Sequence, residues 1–168
     1  MMTEHIAYLL LGTNLGNRTE NLSKATAAIR MFLGRVDAQS HIFETEPWGK
    51  PHQPLFYNQA VKITTPCSPL ETLHLIKQVE FLLGRDNTEK WAPRVIDIDI
   101  LFFDQFAIES PVLTIPHAHI AERKFTLEPM REIAGDFMHP VLNKTISELY
   151  MECKDTLTVN PVDVVYQF

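Results

Sequence analysis

Asp97 and Asp99 stand two residues apart in the run Val95-Ile96-Asp97-Ile98-Asp99-Ile100-Leu101-Phe102-Phe103. On an extended chain alternate side chains share a face, so the two carboxylates project together while Ile96, Ile98, Ile100 and Phe102 project the other way. Their α-carbons would lie about 6–7 Å apart, near enough to hold one magnesium ion or to bridge two ions ~3.5–4 Å apart. Two solvated acids on a strand face give the same pattern, and this is the commoner origin of an arbitrary Asp-x-Asp. Here the flanking Ile and Phe residues place the strand mid-domain, where paired acids need a cation or donors to offset their repulsion. Arg85, Lys90 and Arg94 precede the acids, and Arg123 and Lys124 follow them. Each of these alone reads as surface solvation; the grouping suits a triphosphate.

His117 and His119 have ligand-like spacing, yet histidines beside a proline turn are more often hydrogen-bonding groups, and contact with phosphate is the favoured reading of His117. Phe56, Trp91 and Phe125 are each compatible with core, but Trp91 lies in a polar stretch where a flat aromatic substrate would explain it better. Asn58 offers donor and acceptor to a heterocycle edge, or equally to a neighbouring loop. The turn Gly12-Thr13-Asn14-Leu15-Gly16 could expose backbone amides, but the chain has no GxxxxGK[ST] run, which excludes a Walker nucleotide site.

These residues need elements to hold them. Ile6 to Leu11 reads as a buried strand. Leu22, Ala25, Ile29, Phe32 and Leu33 recur at helical spacing as core, and Gly34 stands at a helix stop. Val36 to Thr45 reads as extended, Glu46 to Pro54 as a proline-rich exposed loop, and Phe56 to Thr64 as a strand. Ser68-Pro69-Leu70-Glu71 is a capping box with proline at the first helical position, opening a helix that runs to Leu83 and closes at Gly84. The acid-bearing strand follows. Two strand-helix-strand units of this length give an α+β fold, a ferredoxin-like βαββαβ sandwich with one sheet face covered by helices and the other available. Val112 to Ile115, a helical stretch near Leu127 to Ala134 and a capping box at Thr145-Ile146-Ser147-Glu148 extend it with C-terminal helices and strands. Asn160-Pro161 weakens the case for a strand at the C-terminus, and the tail carries little functional signal.

The composition narrows the partners. With 168 residues, 45% of them hydrophobic and 21% charged, one domain over residues 1–168 is expected. A net charge of -6 argues against nucleic acid and anionic membranes as partners. No apolar run approaches the roughly 18 residues of a membrane span and no signal peptide pattern opens the chain, so a cytoplasmic location is expected. Cys67 and Cys153 have no metal-ligand spacing. The residues after 150 are too few for a further fused domain.

Taken together, Gly12 to Gly16, Thr45-Glu46-Pro47-Trp48-Gly49, Phe56-Tyr57-Asn58, Gly84-Arg85, Trp91-Ala92-Pro93-Arg94 with Asp97-Ile98-Asp99, and Pro116-His117 through Arg123 and Phe125 closely resemble the 6-hydroxymethyl-7,8-dihydropterin pyrophosphokinase family, over most of residues 6–149. The resemblance implies ATP as co-substrate, two Mg2+ ions on Asp97 and Asp99, and attack of the pterin hydroxymethyl oxygen on the β-phosphorus with release of AMP, a step of tetrahydrofolate biosynthesis. It assigns catalysis to Arg85, Arg94, Asp97 and Asp99, and ATP contacts to Lys77, Glu80, Arg94, Ile100, Thr114, His117 and Arg123. Phe56 and Phe125 would sandwich the pterin and Trp91 would cover it. Asn58 and the backbone of Thr45, Glu46 and Trp48 would read its polar edge. A site drawn from one chain makes a monomer sufficient. Ala118 stands where many relatives carry a larger side chain, Lys77 where a neutral polar residue is common, and the Gly84 to Trp91 connection is one residue shorter than in some relatives. The loops Glu46 to Pro54 and Arg85 to Lys90 are expected to close over ATP.

Two other readings share the residues. Another Asp-x-Asp metal enzyme, such as a nucleotide-sugar transferase or nuclease, would use the same acids with a different acceptor pocket. A noncatalytic ferredoxin-like binding module would leave the acids merely solvated.

Overall fold

A computed structural model describes residues 3–86 and 90–163. Its elements in chain order are β1 (His5–Thr13), α1 (Arg18–Phe32), β2 (Arg35–Gln39), β3 (Phe43–Thr45), β4 (Phe56–Thr65), α2 (Pro69–Leu82) and β5 (Asp97–Phe103). There follow the short pair β6 (Ile108–Glu109) and β7 (Thr114–Ile115), a 3-10 turn at Ile120–Glu122, α3 (Lys124–Ala134), α4 (Ile146–Glu152) and β8 (Val159–Pro161). The main sheet has the order β5-β1-β4-β3-β8, with β2 also pairing with β4, and every pairing is antiparallel.

β2 and β3 are successive parts of one interrupted strand beside β4. In the gap, Ser40 donates its N–H to the Ala60 carbonyl at 2.9 Å and its hydroxyl accepts the Ala60 N–H at 3.0 Å, so the ladder's polar groups stay satisfied across the break. Counted as one strand, they complete the ferredoxin-like order expected from the two strand-helix-strand units.

Both capping boxes are present. Ser68 Oγ accepts the Glu71 N–H while the Glu71 carboxylate accepts the Ser68 N–H, and Thr145 and Glu148 do the same for α4. Gly34 ends the first helix because a Cβ there would meet the Thr64 carbonyl oxygen at 2.2 Å. Leu22, Ala25, Ile29 and Leu33 are buried as expected, whereas Phe32 is 45% exposed. The buried stripe steps from Ile29 to Leu33, which leaves Phe32 on its flank at the last residue of the helix.

One core lies between the sheet and α1 and α2, built on Leu9, Leu11, Val61, Ile63, Ile76 and Val79. The opposite face was expected to be free; Tyr8, Leu10, Ala60 and Phe102 there pack under Leu127 and Met130 of α3 and Ile146 and Leu149 of α4. Toward Asp97 and Asp99 the same face lines a cavity. Phe102 corrects the alternation in β5. Tyr8 pairs with Phe102 but Leu9 pairs with Ile100, so Leu101 is a bulge and the pattern flips there. Ile98 and Ile100 face the first core, Leu101 and Phe102 the second, and Phe103 the first again.

The C-terminal segment differs from expectation too. β8 pairs with β3, Val159 opposite Thr45 and Pro161 opposite Phe43. A proline is tolerated here because β8 is the sheet's outer strand, where a missing N–H breaks no second ladder. No helix among the described residues is long and apolar enough to cross a membrane.

Candidate active site

The cavity-lining end of the second face carries the acids. Asp97 begins β5, pairs with Gly12 across the sheet, and shares a face with Asp99. One nitrogen of Arg85, Nη1, donates to Asp97 Oδ1 at 2.7 Å and also pairs with Glu80 Oε1 at 2.7 Å. Arg94 Nη1 donates to Asp97 Oδ2 at 2.8 Å. Glu80 is 3% exposed; it accepts the Ile98 N–H at 2.8 Å and pairs with Lys77, so it anchors α2 to β5. Both guanidinium groups thus converge on Asp97, and Asp99 stands in a different environment. Burial, then the charges of Asp97 and Glu80, push the Asp99 carboxyl up to about 7.

The aromatic end is a cavity whose lining contains the whole expected acceptor set: Thr45, Glu46, Trp48, Phe56, Asn58, Trp91 and Phe125, together with Arg94, Asp97, Asp99 and Arg123. Phe56 and Asn58 alternate along β4, Thr45 faces them from β3, and Phe125 comes from the first turn of α3. Asn58 Nδ2 donates to Thr45 Oγ1 at 2.7 Å. Gly12 makes room for this pair: a Cβ there would meet Asn58 Oδ1 at 2.8 Å. Its part is close packing within β1, not the exposed amide cradle that the glycine-rich turn suggested. Trp91 adopts φ 71° and lays its indole against Gly49, 3.8 Å from where a Cβ would sit. Lys90 lies over the Trp91 ring at 5.7 Å and lines neither groove.

A second groove adjoins the first and is lined by Lys77, Ile98, Asp99, Ile100, Thr114, His117 and Ala118 among others. Asp99 lines both. Thus Lys77, Ile100, Thr114 and His117 of the residues expected at ATP line the second groove, whereas Arg94 and Arg123, also expected there, line the aromatic cavity with the residues expected at the pterin, and Glu80 and Arg85 pair with each other beside Asp97. Burial, then Arg123 and His119, lower the His117 imidazole to about 4. Its Nδ1 accepts the His119 N–H at 3.3 Å, which leaves Nε2–H as a neutral donor.

Other site-shaping residues were not read from the sequence. Asn14 is 2% exposed; its amide donates to Gln53 Oε1 and the Pro54 carbonyl, both at 3.2 Å, and its Oδ1 accepts the Arg94 N–H at 2.8 Å. Gln53 in turn donates to the Trp91 carbonyl. One asparagine therefore ties the 46–54 loop to the Trp91–Arg94 segment. Arg18 donates to the Leu55 carbonyl at 2.8 Å, pairs with Glu44 at 3.0 Å and lies 3.7 Å from the Tyr57 ring centre, clamping the back of β3 and β4. The tail contributes as well. Glu46 accepts the Thr158 N–H at 2.7 Å, and Asp155 accepts the Lys124 N–H at 2.9 Å at the start of α3. Such long-range polar pairs have no local pattern, apart from a polar residue inside an apolar or glycine-rich run, as at Asn14. Residues 87–89 of the expected 85–90 loop lie outside the described residues.

The donor set fits magnesium. Among the described residues no group of three or more acids, histidines or cysteines forms a metal cage. Two carboxylates on an open face suit an ion that keeps several waters and takes phosphate oxygens, and do not suit a closed zinc site. Arg123 lines the cavity, and its Nε is buried without a hydrogen-bond partner among the described residues.

A family model described as 7,8-dihydro-6-hydroxymethylpterin-pyrophosphokinase (HPPK) matches residues 8–135. The chain is 42% identical over 130 residues to the 2-amino-4-hydroxy-6-hydroxymethyldihydropteridine pyrophosphokinase of Bacillus subtilis, covering 77% of this chain and 78% of that one. It is 38% identical over 144 residues to the folic acid synthesis protein fol1 of Schizosaccharomyces pombe, covering 85% of this chain and 20% of that much longer one. A crystal structure of Plasmodium falciparum HPPK-DHPS shares the fold, with a TM-score of 0.76 at 22% identity over 89% of this chain and 43% of that chain. The chain belongs to the 7,8-dihydro-6-hydroxymethylpterin-pyrophosphokinase family, the pyrophosphokinases that act on hydroxymethyldihydropterin in folate biosynthesis.

Proposed function

We propose that this chain carries the complete reaction on one domain, as a monomer: ATP lies along the Lys77–His117 groove, the pterin fills the aromatic cavity, and the transferred diphosphate spans Asp99. The observation that carries this reading is that the two grooves meet at Asp99, with Arg94, Asp97 and Arg123 on the acceptor side of the junction. Two magnesium ions, held by Asp97 and Asp99 and by phosphate oxygens, would neutralise the transferring group and align it.

The protein's own part is orientation and charge. Phe56 and Phe125 stack the pterin, Asn58 and the backbone of Thr45, Glu46 and Trp48 read its edge, and Trp91 covers it. Glu46 acts through its backbone because its carboxylate is engaged by Thr158. The hydroxymethyl oxygen forms its bond to the β-phosphorus as the bond from that phosphorus to the α,β-bridging oxygen breaks, and AMP leaves. Arg94 and Arg123 meet the developing charge on the phosphoryl oxygens, with His117 Nε2–H as a neutral donor to ATP. Arg85 and Arg94 hold Asp97 in this structure and would contact phosphate once Asp97 is committed to metal. The 46–54 loop closes over the junction through its link to Trp91.

The test is direct. With ATP, magnesium and reduced hydroxymethylpterin the protein is expected to release AMP in a coupled assay. No AMP, together with turnover of other phosphate esters, would move the acids to a different Asp-x-Asp enzyme.

A further inference from the structure

Arg123 differs from the other arginines of the site in how it is held. Arg85 and Arg94 each place a donor nitrogen on Asp97. Arg123 instead lies beside two rings: its guanidinium carbon is 5.4 Å from the Trp48 ring centre and 5.7 Å from that of Phe125. The rings themselves are 6.2 Å apart and inclined at 59°, so the three groups form a nearly equilateral cluster on the cavity wall. No ion pair holds the Arg123 side chain among the described residues, and its Nε is buried without a partner there.

This arrangement has a chemical consequence. A guanidinium held beside aromatic rings spends no N–H donor on a carboxylate, whereas Arg85 and Arg94 each commit Nη1 to Asp97. A phosphate arriving at Arg123 breaks no ion pair. Of the two rings, Phe125 also stacks the pterin in the proposed function. The Trp48 indole has no part in that scheme, where Trp48 reads the pterin edge through its backbone. We infer that the Trp48 indole is a positioning residue that holds the Arg123 guanidinium, by its π face, ready for the transferring phosphoryl group. The inference rests on the function proposed above. It also makes Phe125 a shared member, touching the acceptor on one side and the clamp on the other.

The test compares Trp48→Leu, which keeps apolar bulk without a ring, with Trp48→Phe, which keeps a ring. Trp48→Leu is expected to lower kcat about 3- to 30-fold, the range of a partly desolvated cation–π contact, while the acceptor dissociation constant moves less than about threefold. Trp48→Phe should recover most of the loss. Equal losses in both variants would mean a packing role, and Trp48→Leu with wild-type kcat would mean none; either overturns the inference. Should Trp48→Leu fail to fold, fluorinated tryptophans placed at position 48 alone decide the matter, since each fluorine weakens the π face with little change of shape. A stepwise fall in kcat with fluorine number supports the inference and a flat series overturns it. Wild-type protein that releases no AMP ends the functional reading itself; normal wild-type turnover with an unaffected Trp48→Leu ends this inference alone.

Discussion

The two ends of the site are built on opposite principles. At the acidic end the charges around Asp97 are already partnered: Asp97 with Arg85 and Arg94, and Glu80 with Arg85, Lys77 and the Ile98 N–H. At the aromatic end Phe56, Phe125, Trp48 and Trp91 surround a cavity whose shape is set by packing and by neutral hydrogen bonds such as Asn58 to Thr45. On the proposed function, binding at the acidic end would exchange partners, guanidinium for metal and carboxylate for phosphate. Binding at the aromatic end need only fill a space. In the proposed function the chemistry falls at the end whose charges are paired, and acceptor recognition at the end shaped by packing.

The comparison breaks most severely at the acids. Asp97→Ala or Asp99→Ala is expected to lower turnover about 10³-fold or more, since metal-borne charge neutralisation is worth several kcal/mol and each ~1.36 kcal/mol is tenfold. Acceptor binding without nucleotide should survive, because the aromatic end stands on its own packing. Calorimetry checks this; a loss of pterin binding equal to the loss of turnover would show the two ends to be one unit. Nucleotide binding that ignores both magnesium and these substitutions would instead favour a noncatalytic module.

The clamps come next. Arg123→Ala is expected to cost about 10²-fold in kcat, the scale of deleting one preorganised donor to a transition state. Arg94→Ala should cost a similar factor, yet it also frees Asp97 Oδ2 from its resting partner. Metal affinity should therefore rise in Arg94→Ala and stay unchanged in Arg123→Ala, which magnesium titration followed by calorimetry would show. Equal metal affinities in the two variants would argue that Asp97 is not competed for by Arg94.

The same contrast explains what could be read from the residues alone. The acids were legible because they sit on a regular element whose alternation fixes their face, Asp97 and Asp99 on β5, whereas Phe56 and Asn58 on β4 read equally as core or loop contacts and were given their role only by the family resemblance. The capping boxes at Ser68 and Thr145 fixed two helix starts through purely local chemistry. What escaped depends on residues far apart in sequence. The Asn14 links to Gln53, Pro54 and Arg94, the Arg18 clamp, and the pairing of β8 with β3 are tertiary contacts with no periodic signature. The bulge at Leu101 escaped for a different reason: an all-apolar run buried on both faces gives alternation nothing to contrast, so the flip at Phe102 is silent in the sequence.

At the aromatic end a smaller effect is expected. Phe125→Ala removes one stacking face and should raise the acceptor KM roughly tenfold, a typical worth for one aromatic pair together with its lost burial. Phe125 also touches the Arg123 guanidinium, so kcat should fall by a few-fold as well. Steady-state kinetics separates the two; a change in kcat without any change in acceptor KM would remove Phe125 from the pterin site.

The smallest effect is on stability, and it tests the acidic end without any substrate. The Asp99 carboxyl is raised from 3.8 to about 7 by burial and by Asp97 and Glu80, so the metal-free folded chain binds that proton more tightly than the unfolded chain does. Such a group contributes stability that is full below about pH 4 and is lost as pH rises through about 7. His117 acts oppositely: lowered from 6.5 to about 4, it favours the folded state above pH 6.5 and withdraws that support as pH falls toward 4. Substituting Asp99→Asn removes the first contribution and leaves the second, so the difference between wild type and variant isolates it. In chelator, the wild-type Tm relative to Asp99→Asn should fall by a few degrees between about pH 5 and 8, on a scale of roughly 2–4 °C per kcal/mol. Magnesium with an ATP analogue should flatten that slope, because the bound ion favours the ionised acid that burial disfavours. A slope of the opposite sign would mean that Asp99 is already ion-paired in the free chain, as Asp97 is, and the two acids would then have to exchange partners together.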